Sequence, residues 1–387
     1  MNKKELELYI HIPFCVRKCS YCDFLSAPAT EQTREAYMAA LFAEIGGRAK
    51  DYSDRTVTSI FIGGGTPSLL SGEQIGQLMD RIREQFAMAQ DAEITMEVNP
   101  GTASAEKLRN FYTAGINRLS IGMQSAQAEE LKNLGRIHDF EGFCQVYREA
   151  VEAGFTNINV DVMSGLPGQT LASYRDTLEK VLHLEPMPQH ISAYSLIVEE
   201  GTPFAAMAER GELPLPEEET ERAMYEETIE VLAKYGFHRY EISNYARDGY
   251  ECRHNVGYWI RRDYLGFGIG AASLIDNVRF QNEKSLGAYL AHPLESREEE
   301  QTLTVQDRME ETMFLGLRLT RGVSCVDFAE QYGRTVEEVY GEAIARNVAD
   351  GLLTVTERKA NQKKDRFLAL TKRGLDLSNY VMAQFLF

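Results

Sequence analysis

Three cysteines near the N-terminus are the residues whose type and spacing most directly indicate chemistry. Cys15, Cys19 and Cys22 form a C-x3-C-x2-C pattern in a chain of 387 residues with only 6 cysteines. An iron–sulfur cubane normally binds four thiolates, one on each iron, so three thiolates leave one iron without a protein ligand. An open metal position is typical of a reactive or ligand-binding site. With this spacing, the open iron could bind S-adenosylmethionine through its amino and carboxylate groups.

A zinc site is the alternative for the same cysteines. Zinc needs a fourth ligand and usually has paired C-x2-C segments, whereas this chain has one such pair and its other cysteines, at 144, 252 and 325, are scattered. His11 lies close by, but it alternates with Tyr9 in an apolar pattern typical of a strand and could face away from the loop. The spacing therefore favours the iron–sulfur cluster.

Composition and charge are those of an ordinary globular protein. Hydrophobic residues make up 44% of the chain and charged residues 26%, and the net charge is −17. This acidity disfavours non-specific binding to nucleic acid or to an anionic membrane. The sequence has neither a signal peptide nor a run of 18 apolar residues. We therefore expect a cytoplasmic protein with reduced thiols, no nucleic-acid partner and no integral membrane segment.

The charge is unevenly distributed and indicates a boundary near residue 300. Residues 301–387 are electrically neutral, so the net charge lies on residues 1–300. The acidic stretch at 292–301 is predicted to be a linker, or else a solvated helix start. Three regions follow: residues 1–235, a connecting region at 236–300, and a C-terminal domain at 301–387.

Short β-rich runs alternate with amphipathic stretches from residue 6 to about residue 200, which predicts parallel βαβ units. Six units are too few for a closed eight-stranded barrel, so an open partial barrel or a doubly wound sheet is expected. The predicted strands are Leu6–Ile12, Thr58–Ile62, Glu93–Val98, Arg118–Met123, Asn157–Met163 and His190–Ile197. The predicted helices are Thr33–Arg48, Gly72–Phe86, Ala105–Ala114, Phe140–Ala153 and Leu171–Leu184.

Every predicted strand ends in polar or glycine-rich residues, and this favours the barrel, where such ends meet on one face. The run Gly63-Gly64-Gly65-Thr66-Pro67 follows strand two and would let a ligand approach the backbone. Carboxylates can bind a ribose diol, and arginine can pair with a ligand carboxylate. On these grounds, the further polar groups assigned to the ligand are Glu97, Gln124, Arg136 and Asp161. A surface arginine is the alternative for Arg136.

These motifs, together with Gly165-Leu166-Pro167-Gly168-Gln169-Thr170, resemble the radical S-adenosylmethionine (SAM) superfamily. Specifically, the chain is similar to the oxygen-independent coproporphyrinogen III oxidase group, and within it to HemW-type heme chaperones. The resemblance implies a partial (βα)6 TIM-like barrel followed by a small, mainly helical C-terminal domain. It also implies a [4Fe-4S] cluster on the three loop cysteines. The SAM contacts that it implies are Tyr9, Gly64, Gly65, Thr66, Glu97, Gln124, Arg136 and Asp161.

Two departures from the oxidase pattern argue against decarboxylation of coproporphyrinogen. The oxidase has a fourth cysteine two residues after the third, where this chain has Phe24, and a longer N-terminal segment before its first cysteine. A further motif, H-N-x-x-Y-W, resembles the one linked with heme binding in the chaperones. Its residues, the predicted heme contacts, are His254, Asn255, Tyr258 and Trp259. Imidazole ligates heme iron, and aromatic rings offer flat apolar area. The alternative is that these residues belong to the core beneath residues 266–270.

Two functions are therefore expected, and the first is favoured over the second. The first is a chaperone that binds heme and passes it to an acceptor hemoprotein, such as a respiratory enzyme, with transient membrane contact. The second is a radical enzyme acting on a porphyrin, in which reductive cleavage of SAM yields a 5′-deoxyadenosyl radical. Residues 302–387 are predicted to be helical with one hairpin, as in a winged helix, and to cover substrate or to dock a partner.

Overall fold

The computed structural model describes residues 3–295, 297–360 and 363–387. The strands are β1 Lys4–Ile12, β2 Arg55–Gly64, β3 Ala87–Val98, β4 Arg118–Gln124, β5 Ile158–Ser164, β6 His190–Ser195, β7 His238–Arg239, β8 Asn244–Ala246, β9 Tyr264–Phe267, β10 Ala272–Ile275, β11 Val278–Asn282, β12 Arg297–Thr302, β13 Val323–Ser324, β14 Leu353–Ala360 and β15 Lys363–Leu370. The helices are α1 Glu31–Arg48, α2 Gly72–Gln85, α3 Ala105–Thr113, α4 Ala128–Leu134, α5 Phe140–Ala153, α6 Leu171–Leu182, α7 Pro203–Glu209, α8 Glu218–Lys234, α9 Arg253–Trp259, α10 Leu286–Ala291, α11 Val305–Gly316, α12 Cys325–Tyr332, α13 Val336–Ala349, α14 Lys372–Asp376 and α15 Ser378–Ala383. Among these helices, none is long and apolar enough to cross a membrane.

The predicted partial barrel is confirmed. Strands β1 to β6 are parallel and adjacent in chain order within a sheet ordered β12-β11-β10-β9-β1-β2-β3-β4-β5-β6-β8-β7. Strand β9 extends the parallel part beside β1, whereas β10, β11 and β12 add antiparallel strands at that end and β8 and β7 add them at the other. The sheet order is linear, so β6 does not pair with β1 and the barrel stays open between them.

Helix boundaries in the barrel follow from capping residues in the sequence. The side chains of Thr30, Ser71, Ser104, Asp139 and Thr170 each accept a hydrogen bond from a backbone N–H in the first turn of α1, α2, α3, α5 and α6. Such caps satisfy donors that the helix itself leaves free. They fix where each helix leaves the loop that follows a strand.

The two faces of the barrel strands differ in polarity. On β5, Ile158, Val160 and Val162 are buried against the helices, whereas Asn159 and Asp161 face the barrel interior. Strand β1 shows the same alternation. Buried parallel sheets normally have apolar residues on both faces. A polar inner face therefore indicates that the barrel encloses a ligand site rather than a packed core.

The C-terminal region has a hydrophobic core of its own. Helices α11 to α15 pack with the sheet β13-β15-β14 around buried side chains that include Met313, Phe328 and Leu368. Strands β14 and β15 form the predicted hairpin, so this region is mainly helical and winged-helix-like. Helix α11 also contacts α9 of the preceding region.

The structure corrects one prediction and extends several others. The stretch predicted as a linker at 292–301 contains β12, an exposed edge strand that pairs with β11. An edge strand can be fully polar because only its backbone must pair, so composition did not reveal it. Strand β3 begins at Ala87, six positions before the predicted start. The boundaries at residues 235 and 300 stay predictions.

Candidate functional site

The three loop cysteines follow β1 and lie at the mouth of the barrel. None is in a disulfide, and all are partly exposed. Cys22 donates its backbone N–H to the Cys19 carbonyl at 3.3 Å, and the Arg136 guanidinium lies 3.7 Å from the Cys19 sulfur. Burial raises the pKa of the Cys22 thiol, and the nearby Cys19 and Cys15 raise it further. The loop therefore places the three thiols close enough for Cys15 and Cys19 to raise the pKa of Cys22.

This donor set fits a cubane better than a single metal ion. Within residues 3–295, 297–360 and 363–387, no group of three or more His, Cys, Asp or Glu side chains is placed to hold one metal ion. A cubane binds each thiolate to a different iron, so its cysteines lie farther apart than the ligands of one ion. The alternative of a zinc site at Cys15, Cys19 and Cys22 thus has no fourth ligand in the described chain.

A cavity of about 640 Å³ opens beneath the cysteine loop and extends into the barrel. We call it the first cavity. The predicted residues that line it are Cys15, Cys19, Cys22, Gly64, Gly65, Thr66, Glu97, Gln124, Arg136, Asp161 and Asn255. Strands β1 to β5 supply or precede nearly all of them, as expected for the carboxyl ends of parallel strands.

The glycine run after β2 is packed where side chains would not fit. Gly64 has a φ of +108°, and a Cβ there would overlap the imidazole of His11. A Cβ on Gly65 would lie 2.7 Å from the Phe14 carbonyl oxygen. Gly65 N–H donates to the Ile12 carbonyl at 2.8 Å, which ties this loop to the chain just before the cysteines. Glycine is therefore required by close backbone approach.

Glu97 is held beneath the glycine loop. Its Oε2 accepts the Gly64 N–H at 3.1 Å. Burial, followed by the nearby Asp161, raises the pKa of Glu97 to about 7. A carboxyl group that titrates near neutrality can either accept or donate a hydrogen bond to a ligand hydroxyl.

Gln124 lies at an irregularity in β4. Its backbone φ is +71°, and the register between β4 and β5 shifts between Gly122 and Gln124. A non-glycine residue in this region is uncommon and is found preferentially at functional sites. Tyr194 of β6 donates its hydroxyl to Gln124 Oε1 at 3.0 Å, which orients the amide toward the cavity.

Arg136 and Asp161 complete the polar rim. Arg136 Nη2 donates to the Gly122 carbonyl at 2.6 Å, so this side chain lines the cavity and is not a free surface arginine. Asp161 Oδ1 accepts from Asn159 Nδ2 at 2.7 Å and from Ser120 at 3.4 Å. Burial raises the pKa of Asp161, and hydrogen bonds from Asn159 and Ser192 oppose the shift. The expectation that a buried Asp161 needs a partner is met.

A second cavity of about 540 Å³ adjoins the first, with Phe24, Gly64 and Glu97 lining both. It lies between β9 and β10, α9 and helix α11 of the C-terminal region. Its walls are rich in aromatic rings, including Tyr258 and Trp259. Tyr9, one of the predicted SAM contacts, lines this second cavity and not the first.

The H-N-x-x-Y-W motif forms helix α9, and its residues face different surroundings. Asn255 lines the first cavity, while Tyr258 and Trp259 line the second. His254 lines neither cavity and is only 1% exposed. Glu93 caps the helix, accepting the backbone N–H groups of Arg253 and His254 at 3.1 and 3.2 Å.

His254 has a hydrogen-bond partner at each ring nitrogen. Nδ1 shares a hydrogen bond with Ser59 at 2.9 Å, and Nε2 shares one with the Tyr258 hydroxyl at 3.0 Å. The ring also stacks on Phe61. Burial, followed by Arg118 and Arg262, lowers the pKa of His254 to about 3, so the imidazole is neutral at physiological pH. In this structure His254 positions Tyr258 and has no open side toward a ligand.

Arg118 was not among the residues predicted for the site. It is 2% exposed and lines the first cavity. In the described part of the chain, no acidic oxygen lies within 4.0 Å of its guanidinium, and its only side-chain hydrogen bond is 3.5 Å to Thr95. Its inward position follows from the alternation along β4. That alternation is the one sequence signal that could have found it.

Comparisons with known proteins agree with this geometry. The radical SAM superfamily model matches residues 9–181, and the HemN C-terminal domain model matches residues 303–377. The heme chaperone HemW of Lactococcus lactis is 36% identical over 387 residues, which cover 100% of this chain and 98% of the relative. That of Bacillus subtilis is 38% identical over 385 residues, with 98% of each chain covered. The chain belongs to the HemW family of radical SAM proteins.

The HemW-family chain also resembles a solved structure along its full length. Coproporphyrinogen III oxidase (HemN) from Escherichia coli, a radical SAM enzyme, superposes with a TM-score of 0.84 at 28% identity. The superposition covers 99% of this chain and 90% of that one. The radical SAM model spans β1 to α6, which includes the cysteine loop and the strands up to β5. This agreement confirms the predicted family and fold.

Proposed function

We propose that the protein binds heme in the second cavity and transfers it to an acceptor hemoprotein. In this proposal, the first cavity holds a [4Fe-4S] cluster and SAM. The observation that carries the proposal is the full-length similarity to proteins named heme chaperone HemW. The adjoining cavities support it, because one is lined by thiols and polar strand ends and the other by aromatic rings.

The residues of the first cavity suit the cofactors of the superfamily. Cys15, Cys19 and Cys22 would hold the cluster, and the Gly64–Thr66 segment with Glu97 and Arg136 would bind SAM. When bound, these groups can supply a 5′-deoxyadenosyl radical. The chain itself positions the ligand: Gly65 permits backbone approach, Gln124 is oriented by Tyr194, and Arg136 is anchored on Gly122.

The second cavity suits a flat apolar macrocycle. Trp259, Tyr258 and Tyr264 offer ring faces, and the volume lies in the range of ligand pockets. One side chain on its wall, Tyr258, is of a type that ligates heme iron. In this arrangement His254 contributes indirectly, through its hydrogen bond to Tyr258.

Heme titration of the anaerobically reconstituted protein tests this proposal. A saturable Soret band with about one heme per chain is expected, together with transfer of that heme to an apo-hemoprotein added in excess. Trp259→Leu should weaken binding, because it removes a ring face from the second cavity. His292→Ala, an exposed histidine far from both cavities, is the matched control. The absence of saturable binding by the wild type would refute the proposal.

A second candidate function, a radical enzyme, is favoured by Arg118. Among the described residues no acidic oxygen lies within 4.0 Å of the Arg118 guanidinium, and its opening onto the first cavity suits an anionic group of a substrate. Phe24, at the position of the oxidase's fourth cysteine, argues against the oxidase reaction itself. The test is 5′-deoxyadenosine formation that depends on an added porphyrin, measured under anaerobic reduction in wild type and Arg118→Gln. Equal, substrate-independent formation in both would count against this function.

The cellular setting is part of the same proposal. Acceptors of the respiratory chain would require transient contact with a membrane, and a cytoplasmic location would keep the loop thiols reduced. The net charge of −17 speaks against nucleic acid as a partner. Fractionation of cells followed by blotting would test the location directly.

A further inference from the structure

Two arginines at the second cavity converge on one carboxylate from the C-terminal region. Arg261 Nε lies 2.8 Å from Glu311 Oε2, and Arg279 Nη1 lies 2.7 Å from Glu311 Oε1. Both arginines line the second cavity, and Glu311 belongs to α11. Arg261 and Glu311 are buried, with side chains 4% and 8% exposed, while Arg279 is 38% exposed.

The cluster has more positive charge and more donors than Glu311 can satisfy. Among the described residues, Glu311 is the only acidic side chain within 4.0 Å of either arginine, so the group has a net charge of +1. Arg261 Nη2 is buried without a hydrogen-bond partner. Buried donors are normally paired, so Arg261 Nη2 is left for a further acceptor. This local excess of positive charge occurs in a chain whose net charge is −17.

The C-terminal region closes the second cavity through this cluster and two neighbouring contacts. Leu315 of α11 lines the cavity, and the Arg318 guanidinium lies 4.4 Å over the Trp259 ring. Arg261 itself has a φ of +57°, an uncommon backbone conformation for an arginine, at the end of α9. The contacts between α11 and the end of α9 therefore include an ion pair, which an incoming anion can exchange.

We infer that Arg261 and Arg279 form a carboxylate-binding subsite for the propionate groups of the cargo, occupied by Glu311 until the cargo displaces it. The inference rests on the proposed binding of heme in the second cavity. The guanidinium fork matches a carboxylate geometrically, and paired ionic hydrogen bonds are the strong ones. Loading then exchanges one carboxylate for another and frees α11 from the cavity wall. Cargo binding is thereby coupled to the position of the C-terminal region.

The test compares heme with its dimethyl ester, which has the same ring and iron but no carboxylates. Both ligands are titrated into the reconstituted full-length protein in the same detergent buffer. Wild type should bind heme at least about tenfold more tightly than the ester, and the ratio should fall toward one in Arg261→Gln/Arg279→Gln. Arg253→Gln, which alters an exposed arginine of α9 paired with Asp91, should keep the wild-type ratio.

Glu311→Gln separates a subsite from a structural clamp. If Glu311 competes with the cargo, its removal should tighten heme binding by about threefold or more while the ester affinity stays unchanged. If the arginines only hold the C-terminal region in place, Glu311→Gln should weaken binding of both ligands, as the arginine variants would. That result would overturn the inference.

The outcomes also separate the inference from the proposed function. Wild type that binds heme and its ester equally well, with no effect of the arginine substitutions, would overturn the subsite and leave the heme chaperone standing. Wild type that binds neither ligand would overturn both. A preference for heme over its dimethyl ester that disappears only in the arginine variants would establish the subsite. This conclusion rests on the ratio of two affinities of the same protein, so a lower stability of a variant does not affect it.

Discussion

Replacing His254 by alanine should destabilise the folded protein before it affects any ligand. The ring is 1% exposed, and its removal leaves a cavity beside Phe61. Ser59 and Tyr258 would each lose the hydrogen bond that they share with the ring. Truncating a large buried ring costs about 3–5 kcal/mol, and an imidazole lies near the lower end. Each lost hydrogen bond adds about 1 kcal/mol. The free energy of unfolding should therefore fall by about 5 kcal/mol at pH 7.

The pH dependence of that loss gives the sharper test. The folded pKa of His254 is about 3, below the ordinary histidine value of 6.5, so the unfolded chain takes up one more proton as the pH falls below 6.5. Stability from the neutral buried ring is thus complete above pH 6.5 and is lost toward pH 3, at about 1.4 kcal/mol per pH unit. His254→Ala has no imidazole at this position, so its free energy of unfolding lacks this pH dependence. The difference between wild type and His254→Ala should shrink to about 3 kcal/mol at pH 5.

Urea denaturation followed by circular dichroism at pH 7 and pH 5 measures both quantities. His292→Ala, with a side chain 68% exposed, should change the free energy of unfolding by less than about 0.5 kcal/mol at either pH. A loss below about 1 kcal/mol for His254→Ala, or a difference that widens at pH 5, would show that the ring is not buried and neutral in solution. Direct contact of His254 with heme would then be the better interpretation.

Three further predictions concern the first cavity. Cys19→Ala should abolish cluster iron after reconstitution, measured by colorimetric iron analysis. Cys144→Ala should retain the iron, because Cys19 lines the cavity and Cys144 does not. Gly65→Ala should weaken SAM binding at least about tenfold in equilibrium dialysis, since the added Cβ would lie 2.7 Å from a backbone oxygen. Unchanged binding would mean that the loop backbone can shift to accommodate the Cβ without loss of affinity. SAM affinity should rise as the pH passes about 7, where Glu97 ionises and becomes a full acceptor, and Glu97→Gln should bind SAM with no such pH dependence.

The sequence predicts the barrel well because its elements have strong local signals. Apolar alternation, capping residues and strand-end glycines all lie within short windows, so five helices and five of the six parallel strands were placed within three residues of their ends, and only the start of β3 was misplaced by six. Strands β7 to β12 were missed, since they are short and several are polar. An edge strand such as β12 is stabilised by backbone pairing with a neighbour, which leaves no period in its side chains.

The candidate site divides in the same way. The cysteine spacing and the polar strand ends identified the thiols, the glycine run and the main charged groups of the first cavity, because each lies at a recognisable position relative to its own strand. The second cavity joins Tyr9, Trp259, Arg279 and Leu315, which are far apart in the chain. No local pattern links these residues. Glu311 likewise gives no signal until α11 is packed against α9.

Residue types and short spacings were thus determined by the sequence alone: three thiols on one loop, glycines where the backbone must pass closely, and an aromatic motif with a single tryptophan. Tertiary packing decided which of these groups line a cavity. His254, one of the expected heme contacts, is enclosed between Ser59 and Tyr258, whereas Arg118 Nε and Arg261 Nη2 are buried without a hydrogen-bond partner. Burial and pairing depend on neighbours from distant segments, and it is the loss of water around a charge that sets its pKa and its need for a partner.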